Sequence, residues 1–208
     1  MLLKLTISSL YARLLTVSMT VFAISLSLML YLSVEKLRAS AYTSFTNTIS
    51  QTDLIVGSRT GSVQLLLYSV FRIGNATNNI TWESYEDIIK RDEVDWSVPI
   101  SLGDSHKEFR VMGTNEDFFK RYKYRGDQSL KIENGKYFSD LYDVVIGSGV
   151  AEKLGYNINT PIIVSHGLRS FTEHDDQPFK VSGILAKTGT PVDNTIIVSL
   201  EAIEAIHI

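Results

Sequence analysis

The longest hydrophobic segment of the chain lies near its beginning. From Leu14 to Val34, 21 consecutive residues carry no charge. A helix of this length is about 31 Å long, which matches the ~30 Å hydrocarbon layer of a bilayer. The serine and threonine hydroxyls in it can donate to preceding backbone carbonyls, so they do not oppose insertion. The pattern predicts a transmembrane helix at residues 14–34, because a buried core helix is rarely apolar on every side for this length.

Apolar residues on one helical face precede this segment. They are Leu3, Ile7, Leu10 and Leu14, with Lys4 and Arg13 at the margins of the face. This arrangement is typical of a short helix that lies at a membrane surface. We therefore expect an amphipathic helix at residues 1–13 before the chain turns into the bilayer.

A second apolar stripe at helical spacing follows the segment. Its members are Val34, Leu37, Ala41, Phe45 and Ile49. The spacing predicts that the helix continues out of the membrane as a stalk over residues 35–52, packed on the domain or on a partner. An ordinary helix that caps the domain would have the same pattern.

A cleaved signal peptide is the main alternative to a membrane-spanning helix. Ala39-Ser40-Ala41 has the form of a cleavage site. The apolar run is longer than such peptides usually have, and Glu35, Lys36 and Arg38 lie where a neutral region is expected. We therefore favour the membrane-spanning helix.

Residues 53–208 have the pattern of one mixed domain. Strands are expected at 53–57, 94–100, 109–112, 144–146, 162–165, 179–185 and 196–200, and a strand or a helix at 64–71. Helices are expected at 82–90, 115–122, 150–154 and 201–207, with Asn115 as an N-cap and Gly155 as a C-terminal stop. Gly113-Thr114 and Asn134-Gly135 are expected to be turns. The fold class is therefore α+β, a mixed α/β domain behind one membrane helix.

Charge and cysteine content exclude several classes of protein. The chain has a net charge of −3 and no cysteine. Because the first 34 residues hold only two bases and no acid, the remainder carries 18 bases and 23 acids. Such an acidic domain has no basic surface for nucleic acid. The absence of cysteine excludes disulfides, thiolate metal sites and a cysteine nucleophile.

Gly147-Ser148-Gly149 lies between a predicted strand and a predicted helix, as in dinucleotide-binding proteins. The third glycine of that motif would stand at position 152, which is Glu152. A carboxylate there would repel a pyrophosphate, so we interpret the motif as a tight turn. No Walker A sequence and no nucleophile elbow is present.

The polar loop SHGLRSFTEHDDQ holds the best candidates for metal ligands. These are His166, His174, Asp175 and Asp176. No pair of histidines has helical ligand spacing, so a solvated loop is our interpretation. We expect no catalytic, cofactor-binding or metal-binding residue in the chain, and no enzymatic activity.

Five stretches in the same order resemble the MacB/FtsX-like permease family. The first runs from LTISSLYARLL through the apolar segment, and DLIVGSRTGSVQLLLYSVFRI and FRVMGTNEDFF follow it. The last two are DVVIGSGVAEKLGYNINTPIIVSHG and FKVSGILAKTGTPVDNTIIVSLEAIEAIH. Asn159-Thr160-Pro161 departs from the family's usual Gly-Asp turn. The resemblance implies a MacB-like periplasmic core domain at residues 53–208.

The resemblance also implies a function and partners. Members of the family are permeases in the bacterial inner membrane, with the main domain in the periplasm. They form dimers, use a separate ABC ATPase subunit and contact periplasmic partner proteins. The family has three further membrane spans after this domain, and the chain ends at Ile208, so we expect a fragment or a truncated relative. Flanking charge does not decide the orientation, since two bases lie on each side of the span.

A membrane-anchored sensor or adaptor is the alternative from another class of protein. Its α/β domain would bind a small ligand or a protein. A coding sequence that continues past residue 208 into three apolar spans would favour the permease, and a natural stop would favour the sensor. An anchored enzyme has no supporting residues.

Overall fold

The computed structural model describes residues 11–74, 78–166 and 179–207 of the chain. The chain divides into two compact units, residues 1–45 and residues 46–208. Its α-helices are α1 (Leu14–Thr48), α2 (Ser62–Ser69), α3 (Trp82–Ile89), α4 (Asp117–Arg121), α5 (Ser148–Leu154) and α6 (Leu200–Ala205). Its strands are β1 (Ile100–His106), β2 (Phe109–Thr114), β3 (Lys123–Tyr124), β4 (Gln128–Ser129), β5 (Ile132–Gly135), β6 (Asp143–Ile146), β7 (Pro161–Ile162), β8 (Ser165–His166), β9 (Phe179–Leu185) and β10 (Thr195–Ser199). A 3-10 helix covers Pro191–Asn194.

Helix α1 contains 35 residues and is therefore about 52 Å long. It is the one helix among the described residues that is long and apolar enough to cross a membrane. Serine and threonine hydroxyls donate to carbonyls within the helix, as in the bonds from Thr20 to Thr16 O (2.9 Å) and from Ser33 to Met29 O (2.7 Å). Because the hydrocarbon layer is only ~30 Å thick, the helix is long enough to reach about 20 Å beyond it.

The prediction about residues 1–13 falls mainly outside the described residues, which begin at Tyr11. The predicted stalk stripe lies within or next to α1. Val34 and Leu37 are 61% and 71% exposed, so the described part of this chain does not cover them. Ile49, just beyond the helix, is half-buried.

The second unit is built around a mixed sheet of eight strands. Seven of them follow in the order β5-β9-β6-β10-β2-β1-β8, and β7 pairs with the first residues of β9. The pairs β6–β9 and β10–β2 are parallel, and the other neighbours are antiparallel. The expected α+β class is confirmed.

Two hydrophobic clusters cover the two faces of this sheet. In β10, Ile196 and Val198 belong to one cluster and Ile197 to the other, since alternate residues of a strand point to opposite faces. The first cluster includes Val150 of α5 and Ala202 of α6, and the second includes Phe118 and Phe119 of α4. The central strands are therefore buried on both faces.

Most of the predicted elements are confirmed within one or two residues. The apolar runs at 144–146, 179–185 and 196–200 form β6, β9 and β10. Residues 62–69 are a helix, and 82–89 and 148–154 are helices as expected. Gly155 ends α5 in the left-handed conformation, with φ +68°. The predicted strand at 162–165 is instead two short strands, β7 and β8.

The predicted strand at 94–100 is wrong, because the strand begins at Ile100 and ends at His106. Its sequence, ISLGDSH, has little hydrophobic alternation. The position of the strand is determined by its pairing with β2. In this pairing His106 lies opposite Phe109, and the two-residue turn Lys107-Glu108 connects the two strands. Tertiary pairing therefore overrides the local pattern.

The predicted turn at Gly113-Thr114 is also wrong. Both residues belong to β2 and pair with Val198 and Ser199 of β10. A Cβ atom at Gly113 would lie 2.6 Å from Ile203 Cγ1, so the glycine allows α6 to pack closely on the sheet. Asn115 is not the N-cap of the next helix, because α4 begins at Asp117 with Glu116 in the capping position.

Two further predictions are wrong. Residues 53–57 form no strand, and within them Leu54 is 76% exposed. Asn134-Gly135 is not a turn, because both residues lie in β5 and pair with Ile184 and Gly183. A register shift between Ile132 and Asn134 marks a bulge there.

Candidate functional site at the end of the long helix

The last residues of α1 are hydrogen-bonded to the segment that carries β3. The Arg125 backbone N–H donates to Asn47 O (2.9 Å), and the Tyr122 hydroxyl donates to Thr48 O (2.5 Å). Just after the helix, the Ser50 backbone N–H donates to Lys123 O (3.0 Å). Carbonyls at a helix end have no partner within the helix, so the bonds from Arg125 and Tyr122 satisfy two of them. We call residues 47–51 and 122–127 the helix-end junction.

Side chains reinforce the helix-end junction where the chain leaves the helix. Ser50 is buried, and its hydroxyl donates to Thr46 O (3.1 Å) and accepts from the Gly126 N–H (3.0 Å). The Gln51 side chain donates to Asp127 Oδ1 (3.2 Å). The exit of the helix is thus held by both backbone and side-chain bonds.

Tyr122 connects the helix-end junction to a turn between β9 and β10. Its hydroxyl lies 3.4 Å from Thr190 Oγ1 in addition to its bond with Thr48. Burial raises the pKa of Tyr122, and the bond with Thr190 opposes that rise. The hydroxyl therefore keeps its proton at neutral pH and acts as a donor to the helix end.

The turn at residues 188–193 is closed by a buried carboxylate. Asp193 accepts from the Thr188 N–H, the Thr188 hydroxyl and the Gly189 N–H, each at 2.8 Å. Asp193 is only 7% exposed, so these bonds replace the water that a carboxylate would otherwise need. Thr190 accepts from the Val192 N–H (3.3 Å) and caps the 3-10 helix.

Gly147 and Gly149 pack against this turn instead of forming a nucleotide site. A Cβ atom at Gly147 would lie 2.2 Å from Val192 O, and one at Gly149 would lie 2.6 Å from Asn194 Oδ1. The space in front of both glycines is filled by the protein's own backbone and side chains. This close approach explains the glycines and supports the prediction of a tight turn.

Arg72 is an unusual cation beside the helix-end junction. Its Nη2 atom donates to Met112 Sδ (2.9 Å), while Nε and Nη1 are buried without a hydrogen-bond partner. Burial lowers the pKa of Arg72 to about 10, although Tyr122 and Tyr68 oppose this effect. Arg72 therefore remains charged at neutral pH, and no described carboxylate forms an ion pair with it.

The polar loop that holds the candidate metal ligands, interpreted above as solvated, lies mostly outside the described residues, since residues 167–178 are not among them. The backbone of His166 belongs to β8 and pairs with Asp104 of β1. Elsewhere, His207 Nε2 lies 3.6 Å from Asp104 Oδ1. No group of three or more metal-ligating side chains converges within residues 11–74, 78–166 and 179–207.

A surface groove of about 540 Å³ lies beside α4. It is lined by residues 115–117, 120, 138–141, 199 and 201. Acids predominate among its charged residues, with Glu116, Asp117, Asp140 and Glu201 against Lys120. Two of these acids already pair with Lys120, at 3.3 Å for Glu116 and 3.7 Å for Asp117. The groove is an open, polar surface, and it does not bring together groups for a reaction.

A protein-family model described as the MacB-like periplasmic core domain matches residues 14–207. The match covers nearly the whole chain and confirms the resemblance seen in the sequence. No curated protein matches the chain.

Proposed function

Because the chain belongs to the MacB-like periplasmic core domain family, whose members are components of ABC transporter permeases, we propose that it transmits movement between a membrane and a periplasmic domain. In this proposal, residues 1–13 lie at the membrane surface, 14–34 span it, 35–52 form the stalk and 53–208 form the core domain. The chain is a membrane subunit, or a fragment of one, in the bacterial inner membrane.

The proposal includes partners that the family implies. A separate ABC ATPase subunit hydrolyses ATP, and the permease works as a dimer in contact with membrane lipid. The resulting movement of the periplasmic domain drives export or extraction of a substrate. The chain itself carries no catalytic residue in this scheme.

One observation carries the proposal most directly. Helix α1 is unbroken from Leu14 to Thr48, and its last residues are bonded to the helix-end junction. A continuous helix transmits a displacement along its axis because each backbone bond supports the next turn. The bonds that Tyr122 and Arg125 donate to its last carbonyls supply the attachment at its end.

A break in the helix tests this proposal. Ser40 is exposed within α1 and lies in the sequence between the predicted span and the helix-end junction. Ser40→Pro removes a backbone donor and costs about 3 kcal/mol or more of helix stability, whereas Ser40→Ala preserves the helix. In a complete permease reconstituted with its ATPase, we expect Ser40→Pro to reduce ATP-driven transport at least tenfold and Ser40→Ala to leave it unchanged.

A measurement of the folded domain makes the outcome decisive. Hydrogen exchange of residues 46–208 should be the same in both variants, since the substitution lies outside that compact unit. If the Ser40→Pro protein inserts, keeps a folded domain and transports at the rate of Ser40→Ala, a continuous helix is not needed and the proposal fails.

The orientation is tested separately. The chain lacks cysteine, and Lys153 has a 64% exposed side chain. We expect Lys153→Cys to react with a membrane-impermeant maleimide in intact spheroplasts. Reaction only after lysis would place the domain in the cytoplasm.

A further inference from the structure

Helix α3 has an apolar side that the protein leaves exposed. Trp82, Tyr85 and Ile89 lie three and four residues apart, so they share one side of the helix. Trp82 is 59% exposed and Ile89 is 36% exposed, and Ile80 just before the helix is 38% exposed. No residue of α3 is buried. An apolar cluster of this kind on a short surface helix indicates a contact with another molecule.

Local bonds hold α3 in place, and two of them are made by residues of this side. Thr81 caps the helix by accepting from the backbone N–H three residues later (3.2 Å). The Trp82 indole N–H donates to Glu86 Oε1 (3.0 Å), and the Tyr85 hydroxyl is bonded to Ser97 Oγ (2.9 Å). The helix is therefore formed in advance of any contact, which lowers the entropic cost of binding.

The charge around α3 indicates which kind of molecule binds to its apolar side. Residues 82–95, WESYEDIIKRDEVD, contain six acids and two bases, a net charge of −4. Asp87, Asp92 and Glu93 are exposed, and no ion pair to them occurs in the described residues. A second copy of this chain would bring like charges together, and an anionic lipid surface would be repelled. A basic partner would be attracted.

We propose that α3 and Ile80, together with Asp87, Asp92 and Glu93, form a docking surface for a basic amphipathic segment of another protein. Apolar side chains of that segment contact Trp82 and Ile89, while its lysines or arginines face the three carboxylates. Aromatic side chains at the centre of an interface contribute most to affinity, and surrounding charges raise the association rate. The inference does not depend on ATP-driven coupling.

The test uses the full chain in nanodiscs of zwitterionic lipid. The probe is a short, fluorescently labelled peptide of leucine and lysine in helical spacing, and binding to empty nanodiscs is subtracted. Trp82→Ala should weaken binding about tenfold, which corresponds to about 1.4 kcal/mol. Because Trp82 also bonds to Glu86, circular dichroism and hydrogen exchange of residues 82–89 check that the helix remains.

A second variant tests the charge without touching the apolar side. Asp87→Asn with Asp92→Asn and Glu93→Gln should also weaken binding about tenfold and reduce its dependence on salt. The matched control removes three acids outside residues 82–95, through Glu116→Gln, Asp117→Asn and Glu201→Gln, which line the groove beside α4. This control should bind within twofold of the unaltered chain.

Several outcomes would overturn the proposal. One is that Trp82→Ala binds as well as the unaltered chain, and another is that the control triple variant loses as much affinity as the triple variant near α3. Self-association or binding to anionic vesicles that Trp82→Ala abolishes would assign the surface to a second copy or to lipid instead.

Discussion

Tyr122→Phe removes one hydroxyl group and leaves the aromatic ring in place. The ring packs on Phe118, with centroids 5.1 Å apart, so the substitution creates no cavity there. The lost hydroxyl bonds to Thr48 O at 2.5 Å and lies 3.4 Å from Thr190 Oγ1. Thr48 is only 4% exposed, so water cannot readily replace the donor. Loss of a hydrogen bond at a buried acceptor costs about 1–2 kcal/mol.

This cost should appear as local opening of the helix-end junction. The amides of Ser50, Arg125 and Gly126 donate within the junction, so their exchange reports on it. We expect Tyr122→Phe to speed their hydrogen exchange about tenfold in the full chain in nanodiscs, since 1.4 kcal/mol is a tenfold change in an opening equilibrium. Exchange in the central strand β10 should change less.

Tyr137→Phe is the matched control. Its hydroxyl makes only a 3.4 Å contact with Leu130 O, and its ring packs on Phe119 with centroids 4.5 Å apart. This variant should leave exchange at Ser50, Arg125 and Gly126 unchanged. If the two tyrosine variants exchange alike at these amides, the Tyr122 bond does not hold the helix end and the reasoning about the junction is wrong.

Three further substitutions test the domain itself. Gly113→Ala should lower the free energy of unfolding by about 1–3 kcal/mol in denaturant titrations, because the new Cβ would lie 2.6 Å from Ile203. Gly103→Ala is the control, because a Cβ there would have no atom within 4 Å and should fit without strain. Asp193→Ala should cost about 3 kcal/mol, since three donors, two of them on buried Thr188, lose their acceptor; a cost under about 1 kcal/mol would contradict that role. Partial burial alone would raise the pKa of Asp143, but bonds from nearby N–H groups lower it. The ionised Asp143 therefore stabilises the fold. This stabilisation is complete above the pKa that Asp143 has in the unfolded chain and is lost as the pH falls below about 4. Stability measured against pH should fall less steeply in this acid range for Asp143→Asn, and an unchanged slope would contradict the assignment.

The centre of the fold could be predicted from sequence because its strands are buried on both faces. Val144-Val145-Ile146 and Ile196-Ile197-Val198 are unbroken apolar runs, and every residue in them is fully buried. Unbroken apolar runs of this length are typical of strands that are buried on both faces, so the local pattern was sufficient to predict these strands. The helix at Ser148–Leu154 was predictable for a related reason, since its glycine stop is a local requirement.

The outer part of the sheet could not be predicted in the same way. In β1, Asp104, Ser105 and His106 are buried polar residues, so the strand lacks the alternation of apolar and polar residues by which a strand is identified in sequence. Its position follows from pairing with β2, which comes next in the sequence, and with β8, which lies about 60 residues further on. Gly113 was misinterpreted because glycine has two uses, in turns and in close packing, and only the position of α6 distinguishes them.

The helix-end junction had the weakest sequence signal because backbone atoms make much of it. The oxygens of Asn47, Thr48 and Lys123 are acceptors that any residue would provide, so no residue type marks them. Only the side chains of Ser50, Gln51, Tyr122 and Asp127 are specific, and such polar groups are common on any surface. The stalk stripe indicated how far the helix extends but not what holds its end. Residues that attach a helix through backbone carbonyls are therefore found by asking where the last carbonyls of that helix are satisfied, which requires the folded chain.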